Sequence, residues 1–90
     1  MKQIQDLNQM YFFAQVVTHR GFSAACRELG IPKSRPRRQV AQLEAHLGVR
    51  LIQRSTRHFF LPEIGQRYFE RCQAMLIEAE AAQYAIDEVY

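Results

Sequence analysis

Apolar residues recur every three or four positions from Asp6 to His19. Leu7, Met10, Phe13, Ala14, Val16 and Val17 share one side of a helix, the spacing that 3.6 residues per turn requires. Asp6 stands where a cap accepts a free amide, and Gly21 ends the run. Ser23 is placed to cap a short second helix, Ala24 to Leu29, closed by Gly30. Its small side chains leave room for close packing. A third helix must start between Pro32 and Pro36, because proline is tolerated only in a first turn. Val40, Leu43 and Leu47 point inward and Gly48 stops it. Proline disfavours helical geometry in the residue before it. The expected start is therefore near Pro36, with Lys33 and Ser34 in the turn.

Beyond Gly48 the pattern shortens. Arg50 to Arg54 and Arg57 to Leu61 flank a turn at Ser55-Thr56, and the Phe59, Phe60, Leu61 run suits a small antiparallel hairpin. Pro62 to Tyr90 then has no Gly or Pro after Gly65, which predicts a helix of roughly 40 Å. Along it Tyr68, Cys72, Met75, Ala79, Ala82, Ile86 and Val89 step by four and three, the spacing of a coiled-coil seam. Ile64, Phe69 and Leu76 form a second stripe expected to pack on the first three helices. A core-facing stripe is the ordinary meaning of such a pattern. Here the rest of the chain is too short to cover it, so the seam is expected to pair with a second copy.

Charge changes the picture. Residues 33 to 57 carry Lys33, Arg35, Arg37, Arg38, Arg50, Arg54 and Arg57 against Glu44 alone, a block of +6 within a net +3. Residues 58 to 90 sum to −4. Such a division marks a face for a polyanion and a separate face that is not. Two helices joined by a tight turn, the second opening on arginines and followed by a hairpin, describe a winged helix-turn-helix whose basic helix fits the major groove of DNA. The expected fold is mainly α: three helices, a small two-stranded antiparallel wing and a long dimerisation helix. Residues 1–61 are expected to bind DNA and residues 62–90 to dimerise.

Ninety residues with 48% hydrophobic and 23% charged positions fit one small folded domain. Cys26 and Cys72 lie far apart with no Cys-x-x-Cys pair, and read as free thiols in a reducing cytosol. Cys72 is taken as a buried inert thiol rather than a redox switch. The amino terminus has no apolar run of a signal peptide and no stretch is long enough to span a membrane, so a cytoplasmic protein is expected. His19, His46 and His58 sit on separate elements without ligand spacing, so neither metal nor cofactor is expected. Ser34 lacks an activating base, and no phosphate loop or nucleophile elbow is present, so catalysis is not expected.

The chain from Leu7 to Gly65 resembles the amino-terminal DNA-binding region of LysR-type transcriptional regulators. The similarity rests on Leu7, Phe12 and Val16, then Gly21-Phe22-Ser23-Ala24-Ala25 and Leu29. It continues through Ile31-Pro32-Lys33-Ser34, Arg38, Val40, Gln42-Leu43-Glu44, Leu47-Gly48-Val49-Arg50-Leu51, Arg54 and Gly65. The remaining third resembles the family's linker helix, which pairs with its symmetry mate. The resemblance implies base contacts from Lys33, Ser34, Arg37 and Arg38, and phosphate or minor-groove contacts from Ser23, Arg35, Arg54 and Arg57. It further implies a homodimer on double-stranded DNA. A small-molecule effector would act only through a domain that follows the linker helix, so a longer bacterial regulator, tetrameric in some forms, is expected.

Three positions depart from the family pattern. Pro36 stands where leucine is usual, Arg37 where serine is common, and Leu61-Pro62-Glu63-Ile64-Gly65 replaces a Leu-Thr-x-Ala-Gly opening of the linker helix. The contrasting expectation from charge alone is a helical adaptor whose basic patch docks an acidic protein. An RNA-binding role is disfavoured, because Tyr11, Phe12 and Phe13 fall on a core-forming helix rather than a stacking platform.

Overall fold

The structure, a computed structural model, describes residues 6–54 and 58–89. Within these described residues four helices and one small sheet follow in the order α1 (Leu7–Thr18), α2 (Phe22–Leu29), α3 (Ser34–Leu47), β1 (Gln53–Arg54), β2 (Phe59–Phe60) and α4 (Glu63–Val89). The first helix begins as its sequence predicts. The Asp6 carboxylate accepts from the Asn8 amide at 2.8 Å, satisfying one of the donors a helix start leaves free.

The second helix starts earlier than expected. Phe22 is its first residue, Gly21 takes the cap position without a side-chain bond, and Ser23 lies inside the first turn. Phe22 packs against the core, and the Gly21 carbonyl closes the turn by accepting from Ala25 at 3.2 Å. Burial of the phenylalanine outweighs the serine's preference for a cap.

Helix α3 also starts earlier than the proline rule suggests, at Ser34, which makes Arg35 helical and Pro36 the third helical residue. The first amides of a helix have no intrahelical acceptor, so a proline there removes no bond. Its ring is fully buried, and that burial offsets the steric preference of Arg35 for extended backbone. Gly30 and Gly48 end α2 and α3 in the left-handed conformation, at φ 67° and 72°, where glycine has no Cβ penalty.

The core lies where α1, α3 and the start of α4 converge. Phe13, Val16, Val40, Leu43, Leu51, Ile52 and Cys72 are all almost fully buried, each large side chain contributing about 1.5–3 kcal/mol. Leu51 and Ile52 precede β1, whose pairing with β2 is antiparallel, Gln53 opposite Phe60 and Arg54 opposite Phe59. The wing is thus a short ribbon anchored by two core residues. The expected turn at Ser55-Thr56 lies outside the described residues.

Helix α4 divides along its length. Gly65 and Cys72 are buried, and Tyr68, Phe69 and Leu76 pack on the core. Every residue from Ile77 to Val89 is exposed, a projection of about 20 Å. Two expectations for this helix are corrected. Tyr68 and Cys72, placed on the partner seam, belong to the chain's own core. Ile64, placed on the core stripe, is 49% exposed. A first half used to complete a small core leaves only the second half outside it.

Candidate nucleic-acid interface

The start of α3 gathers the basic side chains. Lys33, Ser34, Arg35, Arg37 and Arg38 are all exposed, while Pro36, Val40 and Leu43 are buried. At about 100° per residue, Ser34, Arg38 and Ala45 fall opposite that buried line, and Arg35 and Arg37 fall on its two flanks. None of Lys33, Arg35, Arg37 and Arg38 forms an ion pair among the described residues. Their charge faces outward without local neutralisation. The two flanking arginines instead meet aromatic rings. Arg37 lies over Phe22 of α2 at 5.3 Å from the ring centroid, and Arg35 over Phe12 of α1 at 5.4 Å.

Helix α3 is fixed at two points in its second half. Near its middle, Gln42 accepts from the Gln9 amide at 3.2 Å, a bond to a residue of α1 that is only 4% exposed. Toward its end, Glu44 accepts from the backbone amides of Leu51 at 2.8 Å and Ile52 at 3.2 Å. Those amides lead into β1, so the one acid of the basic segment couples α3 to the wing. Neither Gln9 nor Glu44 was singled out by sequence reasoning for these roles. Gln9 lay on the face of the first helix between its apolar residues, which was the available signal. For Glu44 no periodic signal existed, because its partners are backbone groups.

The remaining site residues are placed as follows. Ser23 is half-buried in the first turn of α2, on the helix that supplies Phe22. Arg54 lies in β1 and Arg57 lies outside the described residues. Arg50, just before the buried Leu51, is exposed. Of the seam, Tyr68 and Cys72 are in the core and Met75 is half-buried. Ala79, Ala82, Ile86 and Val89 are exposed and continue the same line along α4. Tyr68 tilts against Phe13, with ring centroids 5.6 Å apart. Burial pushes the Cys72 thiol up to about 11, and burial with the adjacent Cys72 pushes the Tyr68 hydroxyl up to about 12. A thiol so disfavoured as thiolate is a packing residue, not a nucleophile.

Among the described residues no group of three His, Cys, Asp or Glu side chains could hold a metal ion. No described helix is long and apolar enough to cross a membrane.

Residues 7–66 match the family model described as bacterial regulatory helix-turn-helix protein, lysR family. An HTH-type transcriptional regulator of Xanthomonas campestris pv. campestris is 42% identical over 84 residues, 93% of this chain and 24% of that protein. The HTH-type transcriptional regulator PtxR of Pseudomonas aeruginosa is 40% identical over 77 residues, 86% of this chain and 25% of that protein. The chain thus spans about a quarter of the length of these curated relatives. A crystal structure of the BenM DNA-binding domain with catB site 1 DNA superposes with a TM-score of 0.86 at 22% identity. The match covers 94% of this chain and 96% of that one. At that identity the match establishes the winged helix-turn-helix fold.

Proposed function

The chain belongs to the lysR family of bacterial regulatory helix-turn-helix proteins. From that membership and the geometry of α3, we propose that it binds DNA sequence-specifically as a dimer on a pseudo-palindromic operator and regulates transcription. The observation that carries this is the exposed basic start of α3, whose cations find no carboxylate among the described residues. A helix held by its own core and left with uncompensated positive charge at its outer face suits a groove walled by phosphates.

Within that reading Arg38 and Ser34 face the base edges, where arginine grips guanine through two hydrogen bonds. Lys33 and Arg37 lie to one side of them. Ser23, Arg35, Arg54 and Arg57 are assigned to phosphates or the minor groove, contacts that position the helix without reading sequence. The exposed end of α4 carries the dimer. We infer a regulatory and not a catalytic role, in the bacterial cytoplasm at the nucleoid. Effector sensing belongs to a further domain of a longer protein.

Selection of bound duplexes from a random library, followed by titration of variants, tests this. Arg38→Ala is expected to cost about 1–3 kcal/mol on the enriched duplex and to relax preference at one base pair. Arg54→Ala is expected to weaken enriched and scrambled duplexes alike and to lower the salt slope by about one. Equal effects of both variants on both duplexes would refute the division of roles. Weak, sequence-blind DNA binding beside tight binding to an acidic protein would replace the reading altogether.

A further inference from the structure

The ring contacts of the two flanking arginines have a geometric consequence for how α3 sits in a groove. A helix with its side chains is about 10–12 Å across, and the major groove is about 12 Å wide. The residues facing directly away from the core therefore meet the groove floor. Residues roughly 90° to either side meet its sugar-phosphate walls. Arg37 and Arg35 occupy those two sides, and Pro36 between them is fully buried.

Each of the two is also restrained. A guanidinium lying over an aromatic face keeps its edge N–H groups free while its torsions are held. Arg37 is restrained by Phe22 and Arg35 by Phe12, rings supplied by two different helices. Arg38, at the outward face, is exposed and makes no ring contact among the described residues. A ring-held pair of arms at the walls and an arm without a ring at the floor are suited to different tasks: held arms meet a repeating backbone, and the outward arm meets a base.

We propose that Arg35 and Arg37 are paired phosphate rests that set the depth and tilt of α3, and that Phe12 and Phe22 are the positioning residues that hold them. This rests on the DNA-binding reading and reassigns Arg37 from the bases to the backbone. It also explains why the chain tolerates Pro36 in the recognition helix. A buried ring between the two arginines fixes the backbone from which both arms extend.

The test uses this chain with two duplexes, the one it enriches from a random library and a composition-matched scramble. Phe22→Leu keeps an apolar side chain but removes the ring, and should cost about two- to fivefold in affinity on both duplexes. Arg37→Ala should weaken both by the same factor and lower the salt slope by about 0.9. The double variant should be no weaker than Arg37→Ala alone, and Phe22→Tyr should bind as the unaltered chain does. Arg37→Lys, at an exposed position that does not threaten folding, keeps the charge without the planar fork. It should reproduce the Phe22→Leu loss and be insensitive to adding that change. Additive losses would show that Phe22 acts only through packing, and a changed base preference in Arg37→Ala would make it a base reader; either overturns the proposal. A chain that enriches no duplex would instead refute the DNA-binding reading beneath it.

Discussion

Cys72 lies where α4 enters the core, and its surroundings make ionisation costly. The folded thiol is pushed up to about 11 by burial, from an ordinary value of 9.0. Below pH 9 both folded and unfolded chains keep the proton, and the stabilisation is fully present. Between about 9 and 11 the unfolded chain loses a proton that the folded chain retains, so stability falls as pH rises. Two pH units correspond to at most about 3 kcal/mol for this group. Tyr68, raised from 10.0 to about 12 by burial and then by Cys72, adds a loss of the same sign at higher pH. The urea midpoint, followed from pH 8 to 11, is expected to drop steeply above 9, and a Cys72→Ala variant to show a shallower fall over that range. A profile no shallower in the variant would remove the thiol as the cause. The sequence marks Cys72 as a buried thiol, but its helical period is shared by core and seam. Which of the two it serves depends on where α1 sits against α4, and no local pattern encodes that.

At the scale of elements, the joint between wing and α4 depends on one missing side chain. A Cβ on Gly65 would run into the backbone carbonyl of Leu51 and crowd the Leu61 side chain. The carbonyl belongs to a segment already fixed by Glu44 at its amides, so it has little freedom to move aside. Gly65→Ala is expected to destabilise the fold by about 3 kcal/mol, measured as a lower urea midpoint with an unchanged slope. A loss below about 0.5 kcal/mol would mean that α4 simply shifts outward. Element ends were legible where a local rule has no competitor: Asp6 at α1, Gly30 and Gly48 in left-handed geometry. Where burial competes, the local rule gives way. Phe22 drew the start of α2 forward past Ser23, and Pro36 was buried within α3 rather than marking its first residue. The basic composition of the outer face of α3 could be read directly from the chain. The rings under Arg35 and Arg37 could not, because Phe12 and Phe22 reach them only after three helices have packed.

For the whole molecule, the decisive feature is the half of α4 that no described residue covers. Ala79, Ala82, Ile86 and Val89 continue the line that Cys72 begins in the core, and Ile86 and Val89 are 57% and 72% exposed. Charge restricts how a second copy can lie on that line. The end of the helix carries Glu78, Glu80, Asp87 and Glu88 without a cation, whereas in the first half Arg67 and Arg71 balance Glu63 and Glu70, Arg67 pairing with Glu63 at 3.2 Å. Parallel pairing would align the two acidic ends along their whole length, and antiparallel pairing carries the tip of each acidic end toward the neutral first half of the other helix. The small alanines permit close approach, and Ile86 supplies apolar contact. Ile86→Asp places a charge on the seam while leaving the core residues untouched. It is expected to convert a dimer to a monomer in sedimentation velocity at micromolar concentration. Because the two basic helices then bind independently, affinity for a two-half-site duplex should fall about 100-fold or more, with binding to a single half-site little changed. An unaltered chain that stays monomeric at high concentration, or a variant that loses single-site binding equally, would separate α4 from the dimer.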